Sequence, residues 1–237
     1  MITANSITKK YGDFTALNNL SFNVNKGEIL CLLGANGAGK STTINILLNF
    51  LKPSSGTALI NNLDVTKNPV KTKQFLTYIP ENLMLYPTFS AIENLDYFTK
   101  LSGDKFNNEE LGLILSQAGL DEATHHQNIK SYSKGMRQKV GIALAIAKES
   151  SVLLLDEPTS GLDPKSSNDF IELLTEMKNN GVAVLMATHD LFRAKQVSTH
   201  IGIMRSGALE SYSKSSNFSL KELESIYLDI MNFKNIE

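Results

Sequence analysis

The chain is poor in the features that mark secreted, membrane-spanning and nucleic-acid-binding proteins. It has 237 residues and a single cysteine, Cys31, so no disulfide can form within it. No apolar run approaches the roughly 20 residues of a membrane-spanning helix, and Met1 to Lys10 is too polar for the hydrophobic segment of a signal peptide. The formal net charge is -1 and the lysines are scattered, so nucleic acid is not an expected partner. We therefore expect a cytoplasmic protein that reaches any membrane through a partner.

A glycine-rich loop lies between an apolar strand pattern and a helical pattern. Residues 34–41 fit G-x-x-x-x-G-K-[ST], the phosphate-binding loop of nucleotide triphosphatases. Glycines let backbone N–H groups turn toward phosphate oxygens. Lys40 adds a positive charge for the outer phosphates, and Ser41 adds an oxygen for Mg²⁺. The sequence therefore predicts that ATP or GTP is bound by Gly34, Ala35, Asn36, Gly37, Ala38, Gly39, Lys40, Ser41 and Thr42.

Strand and helix patterns alternate through the rest of the chain. Continuous apolar runs at 152–155 and 182–187 alternate with helical patterns, which predicts a mainly parallel sheet covered on both faces. The N-terminal region reads as strands joined by turns. Residues 88–119 change to two helices with capping signals, typical of a helical insertion. An amphipathic pattern over 219–233 predicts a terminal helix.

Polar side chains follow both apolar strands, where a parallel sheet presents its ligand crevice. Asp156, at the end of the first strand, is suited to hold Mg²⁺ beside Ser41, directly or through water. Glu157 is suited to act as a general base if it lies within about 3 Å of the attacking water. His189 follows the second strand and either contacts the γ-phosphate, holds the attacking water, or is merely exposed.

Three further features each have a functional and an ordinary interpretation. Glu81 follows a short strand and either reaches the metal or its water, or is a loop charge. Ser133 and Gly135 precede a helix and form either a second anion site, which suggests that two chains share nucleotides, or a simple N-cap. Tyr11, placed in a turn, either stacks on an adenine ring or only packs.

Taken together, these motifs resemble the ATP-binding cassette (ABC) ATPase family, whose motif order they follow from Tyr11 to His189. The family implies an α/β fold with a RecA-like P-loop nucleotide triphosphatase core, an N-terminal antiparallel β subdomain and an inserted α-helical subdomain. The implied division is 1–82 and 150–210 for the core with its β subdomain, 83–149 for the helical insertion that ends in the signature helix, and 211–237 for a C-terminal helical tail.

The resemblance also implies an ATPase that works as a homodimer. Two subunits associate head to tail around two ATP molecules with Mg²⁺, so that the loop of one faces the Ser133–Gly135 signature of the other. Closure of the dimer then pulls on integral-membrane permease subunits beside Glu81 and the helical insertion. The resemblance assigns catalysis to Glu157 and His189, the adenine to Tyr11, the metal to Ser41, Glu81 and Asp156, and the interface to Ser133, Gly135 and Asp163.

Two positions depart from the family's usual pattern. The signature, usually Leu-Ser-Gly-Gly-Gln, reads Tyr-Ser-Lys-Gly-Met over 132–136, which keeps the serine and the second glycine. The usual glutamine is Glu81, which can accept from a metal-bound water but adds negative charge. Both variants resemble the type-2 exporter branch. We therefore expect a transport ATPase of an exporter; the alternative is a soluble ABC ATPase that acts on a non-membrane assembly partner. A nucleotide kinase or GTPase switch ranks last, because it needs neither the signature nor His189.

Overall fold

The computed structural model describes residues 1–232, within which the chain forms strands and helices in alternation. The strands are β1 (Ile2–Tyr11), β2 (Phe14–Val24), β3 (Ile29–Leu33), β4 (Ser55–Ile60), β5 (Leu63–Asp64), β6 (Leu76–Ile79), β7 (Val152–Asp156), β8 (Ala183–Thr188), β9 (His200–Arg205) and β10 (Ala208–Lys214). The helices are α1 (Lys40–Leu47), α2 (Pro69–Gln74), α3 (Ala91–Ser102), α4 (Asn108–Gln117), α5 (Lys134–Ala147), α6 (Pro164–Asn179), α7 (Leu191–Val197) and α8 (Leu220–Asn232). No helix within residues 1–232 is long and apolar enough to span a membrane.

The strands form two sheets. The smaller sheet is antiparallel, in the order β2-β1-β4-β5. The larger sheet has the order β10-β9-β3-β8-β7-β6, and only the edge pair β10–β9 is antiparallel. This arrangement confirms the predicted α/β fold with an N-terminal antiparallel β subdomain. Because β3, β6, β7 and β8 are parallel, the residues that follow them meet at one edge of the sheet.

The larger sheet is buried on both faces. In β3, Ile29, Cys31 and Leu33 belong to the apolar cluster that includes helices α5 and α6, whereas Leu30 and Leu32 belong to the cluster that includes α1 and β1. This alternation follows from the two-residue repeat of a strand. Cys31 is completely buried, and burial raises the pKa of its thiol. The core therefore fixes β3, and with it the start of the phosphate-binding loop.

Helices α3, α4 and α5 lie within the segment predicted to be the helical insertion, residues 83–149. Helix α3 begins at a capping box, in which the Ser90 hydroxyl accepts from the N–H of Glu93 at 3.2 Å and the Glu93 carboxylate accepts from the N–H of Ser90 at 2.7 Å. Asn107 and Glu110 cap α4 in the same way. The inserted helical part that the sequence predicted is therefore present.

The C-terminal part begins differently from the predicted helical tail. Residues 211–214 belong to the edge strand β10, whose side chains alternate between exposed and half-buried, and the helix α8 starts only at Leu220. Residues 233–237, which the predicted tail and terminal helix also include, lie outside the described residues. The remaining boundaries of the predicted division stay predictions.

Candidate active site

A cleft of about 340 Å³ lies at the edge of the large sheet where β3, β6 and β7 end. The residues that line it come from distant parts of the chain, and the parallel topology brings them together. They are Tyr11, Phe14, Ala16, Ala35, Asn36, Gly37, Ala38, Gly39, Lys40, Ser41, Thr42, Glu81, Asp156 and Glu157. Most positions assigned to one nucleotide site from the sequence therefore share one cleft.

The loop from residue 34 to residue 41 needs glycine at specific positions. Gly37 and Gly39 have left-handed φ angles of 83° and 103°. A Cβ added to Gly39 would lie 2.7 Å from Cδ2 of Leu17, and one added to Gly34 would lie 2.6 Å from the carbonyl oxygen of Met204. Helix α1 starts directly after Gly39, so its positive N-terminal end lies at the cleft. The loop thus has the geometry of an anion-binding site.

Lys40 is almost fully buried beneath this loop. Its Nζ donates to the carbonyl oxygens of Gly34 at 2.5 Å and Ala35 at 3.3 Å. The same Nζ lies 3.6 Å from Oε1 of Glu157, a buried atom that has no hydrogen-bond partner. A buried cation held by neutral carbonyls and one carboxylate is suited to receive the negative charge of a phosphate.

Ser41 and Asp156 form a pair of oxygen ligands in the cleft. Burial is the largest influence on the Asp156 carboxyl and raises its pKa, and the negative charges of Glu157 and Glu81 raise this pKa further. The hydrogen bond from Ser41 and the positive charge of Lys40 lower it, and the net effect is a raised pKa. Hydroxyl and carboxylate oxygens are the ligands that Mg²⁺ prefers. Within residues 1–232 no group of three or more His, Cys, Asp or Glu side chains forms a metal site. The two oxygen donors fit Mg²⁺ by their chemistry, since this ion commonly completes its coordination with water and substrate phosphates.

Glu157 connects the cleft to His189. Its Oε2 lies 2.9 Å from the ring atom Nδ1 of His189, and it also accepts a hydrogen bond from the backbone N–H of His189 at 3.4 Å. The Glu157 side chain is 13% exposed, whereas that of His189 is 59% exposed. Both residues border a second depression, whereas His189 does not line the cleft itself. The structure thus places His189 against Glu157, a contact that the sequence did not predict, and its role toward phosphate or water stays a prediction.

Ser133, Gly135 and Asp163 do not line the cleft of their own chain. Ser133 caps α5, with its hydroxyl accepting from the N–H of Met136 at 3.2 Å. Asp163 caps α6, accepting from the N–H of Ser166 at 3.0 Å and from its hydroxyl at 2.6 Å. These hydrogen bonds lower the pKa of the Asp163 carboxyl. The N-cap interpretation is thus observed, and a role across a dimer interface stays a prediction.

The aromatic end of the cleft differs from the sequence-based interpretation. Tyr11 is the last residue of β1 and pairs with Phe14 across the hairpin, so it does not lie in the turn itself. Phe14 is 65% exposed, more than Tyr11, and lines the same cleft. Phe14 was missed; the only signal was a second aromatic residue on the other side of the Gly12-Asp13 turn.

A family of known proteins matches most of this sequence. The sequence model described as "ABC transporter" matches residues 17–160. The chain belongs to the ABC transporter family. Membership confirms the ATP-binding, ATPase class that the motifs predicted.

Individual relatives are similar over most of the chain. The probable multidrug ABC transporter ATP-binding protein YbhF of Escherichia coli is 35% identical over 88% of this chain, which spans 36% of YbhF. The linearmycin resistance ATP-binding protein LnrL of Bacillus subtilis is 33% identical over 88% of this chain and 68% of LnrL. A dimeric ATP-binding cassette solved in a post-hydrolysis state with ADP and Pi has a TM-score of 0.81 at 27% identity, covering 92% of this chain and 100% of that one.

Proposed function

We propose that the chain is the ATP-hydrolysing subunit of an ABC exporter. The observation that carries the proposal is the position of Glu157 between the loop cation Lys40, at 3.6 Å, and His189, at 2.9 Å. The names of the relatives YbhF and LnrL, which refer to multidrug transport and to linearmycin resistance, favour export over import. The transported compound contacts the membrane subunits in this proposal, so the chain does not specify it.

Nucleotide binding uses the loop and the aromatic pair. The backbone N–H groups of the loop and the N-terminus of α1 take the phosphates. Lys40 exchanges the carbonyl oxygens of Gly34 and Ala35 for phosphate oxygens, which is favourable because a charged acceptor binds an ammonium more strongly than a neutral one. Tyr11 and Phe14, both exposed at the mouth, offer faces for the adenine.

Ser41 and Asp156 would hold Mg²⁺, and Glu81 would accept from water at this site. The ion would supply positive charge to the phosphate oxygens. Burial disfavours the ionised form of Asp156 in the free chain, so a cation at this position relieves an existing electrostatic penalty. Ser41 and Asp156 both line the cleft, so that a hydroxyl and a carboxylate are available to one ion.

Glu157 removes the proton from the attacking water, and His189 holds the carboxylate in place. The Glu157 backbone has a left-handed φ of 47° and donates its N–H to the carbonyl oxygen of Ala187 at 2.8 Å. This contact anchors the residue to β8, so that the side chain points to the cleft from a fixed backbone. The bond to His189 orients Oε2 and leaves Oε1, the buried oxygen near Lys40, for the water.

The functional unit is a homodimer. Ser133, Gly135 and Asp163 lie outside the cleft of their own chain, which supports a role at the cleft of a second copy. The similar solved cassette is dimeric and holds ADP and Pi. Mixing a Ser133→Ala chain, which retains its own loop, with a Lys40→Ala chain should leave one composite site intact and recover part of the activity. No recovery in the mixture would contradict a shared site.

Integral-membrane permease subunits contact the surface beside Glu81 and the helical insertion. Apolar side chains are exposed there, among them Met84, Tyr86, Phe89 and Tyr97. Exposed apolar patches of this kind mark protein contacts. The chain is then cytoplasmic and peripheral at the inner face of the cell membrane. If the chain never co-purifies with an integral membrane protein, a soluble ABC ATPase with a non-membrane assembly partner becomes the better assignment.

The test of the activity is Glu157→Gln, which keeps the shape of the side chain but removes the base. We expect Mg-ATP binding to persist while hydrolysis falls by about 10²–10⁴-fold, and the variant to accumulate as an ATP-bound dimer. Glu172→Gln, an exposed change on α6, is the matched control and should hydrolyse ATP at the parent rate. Hydrolysis by Glu157→Gln at the parent rate would rule out Glu157 as the base.

A further inference from the structure

One face of helix α5 is attached to the segment that carries Glu81. At the start of the helix, Nζ of Lys134 lies 3.8 Å from Oε1 of Glu81. One turn later, the side-chain amide of Gln138 donates to the carbonyl oxygens of Pro80 at 3.3 Å and Glu81 at 3.4 Å. Positions 134 and 138 are four residues apart and lie on the same side of the helix. The helix therefore holds both the side chain and the backbone of Glu81.

Close packing continues this attachment by one more turn. A Cβ added to Gly141 would lie 3.1 Å from Cδ1 of Ile79 and 3.1 Å from Cδ2 of Leu83. These two residues flank Glu81 in the chain, so α5 contacts the segment on both sides of it. Gln138 is 1% exposed, which makes its two hydrogen bonds costly to break. Helix α5 thus fixes the backbone position of Glu81, and the ion pair with Lys134 influences the direction of the Glu81 side chain.

Within residues 1–232, the hydrogen bond and the ion pair of the Glu81 carboxylate both use the same oxygen. Oε1 accepts from the hydroxyl of Ser160 at 3.1 Å and faces Lys134 at 3.8 Å, and neither contact involves Oε2. Glu81 also lines the nucleotide cleft, so Oε2 is the oxygen available to water there.

The negative charge of the cleft also favours the contact between Lys134 and Glu81. Three carboxylates line the cleft, those of Glu81, Asp156 and Glu157, and Lys40 is the one cationic side chain among the residues that line it. Nucleotide phosphates add further negative charge, and like charges at short range repel. Lys134 supplies a second cation to this group through its contact with Glu81.

We propose that Lys134 is a positioning residue for Glu81, holding Oε1 against Ser160 so that Oε2 points into the nucleotide cleft. The inference rests on the proposed ATPase function. It also connects two parts of one subunit, because Lys134 directly follows Ser133, which caps the same helix.

Steady-state kinetics test the role. Lys134→Met should lower kcat by about fivefold, the upper end for a partly exposed ion pair, and leave KM for ATP unchanged. Lys134→Arg, which keeps the charge, should restore most of kcat. In a Glu81→Ala background Lys134→Met should have no further effect, because its target is gone. Lys130→Met, an exposed lysine of the same segment, is the control and should behave as the parent. An equal effect of Lys134→Met with and without Glu81 overturns the proposal.

A carbodiimide cross-link tests the contact without hydrolysis. In the nucleotide-free protein the reagent should join Lys134 to Glu81, detected as a linked peptide pair by mass spectrometry and lost in Glu81→Gln. The pair Lys100–Asp96, at 2.6 Å, is the positive control in the same chain. A cross-link at the control pair but none at Lys134 overturns the proposal. If the parent protein hydrolyses no ATP, the proposed function fails, while the cross-link still decides whether Lys134 holds Glu81.

Discussion

Glu157 and His189 follow adjacent parallel strands, β7 and β8, and their side chains meet at 2.9 Å between Oε2 and Nδ1. The backbone of Glu157 is strained at a φ of 47°, a conformation that costs a non-glycine residue about 1–3 kcal/mol. The hydrogen bond from its N–H to Ala187 on β8 helps to maintain that conformation. The orientation of the carboxylate therefore depends on β8 twice, through the backbone and through His189.

Replacing His189 should impair catalysis more than binding. His189→Ala removes the contact that orients Glu157 but leaves the loop and Lys40 intact, so kcat should fall by about 10²-fold while KM for ATP changes little. Steady-state kinetics measure both. His126→Ala, at an exposed histidine of the helical insertion, is the control and should leave kcat at the parent value. A rise in KM without a change in kcat would place His189 in nucleotide binding instead.

Two glycines of the loop should respond differently to alanine. Gly37 has a left-handed φ but no atom within 4 Å of an added Cβ, so Gly37→Ala should lower the free energy of unfolding by about 1–2 kcal/mol. Gly39→Ala adds a clash at 2.7 Å with Leu17 to the same strain, and the loss should reach about 2–5 kcal/mol. Urea unfolding of both variants measures the difference. Equal losses would show that Leu17 moves aside freely.

The sequence was sufficient for the loop and the fold class because both depend on local patterns. The motif at 34–41 fixes its own backbone, and the apolar runs that became β7 and β8 determine where Asp156 and His189 emerge. Strand β10 was not recognised, since an edge strand with a half-exposed pattern carries little periodic signal. The contact between Glu81 and Lys134 was also not predicted, because it depends on how α5 packs against β6 and on no periodicity within either segment.

Gly135, at the start of α5, should not tolerate a side chain, whereas Gly112, in α4, should tolerate one. The Cβ of Gly135→Ala would lie 2.9 Å from Cβ of Ser166, the residue that bonds to Asp163, so unfolding free energy should fall by about 1–3 kcal/mol. At Gly112 the nearest atom is Nδ1 of His125 at 3.8 Å, and Gly112→Ala should stabilise the chain by about 0.5–1 kcal/mol. Chemical denaturation gives both values, and a stabilised Gly135→Ala variant would contradict this packing.

The Asp163 cap should make part of the stability depend on pH. Hydrogen bonds from Ser166 place the folded-state pKa of Asp163 below its ordinary value of about 3.9. The contribution is therefore fully present above that value and is lost as the pH falls through the folded-state pKa. Asn accepts the same N–H but does not titrate in this range. Urea midpoints of the parent and Asp163→Asn should converge on acidification below about pH 4, and parallel curves would show that the cap does not titrate.

The buried thiol of β3 also makes this chain convenient for site-directed labelling. Alkylating reagents react with the thiolate form of cysteine. Cys31 is inaccessible to them, and its burial disfavours the thiolate form. Since the sequence has no other cysteine, a single one introduced at an exposed position away from the cleft, such as Glu172, would carry a fluorophore or spin label alone. Distances between two labelled copies would then report directly on how the subunits approach each other when nucleotide binds.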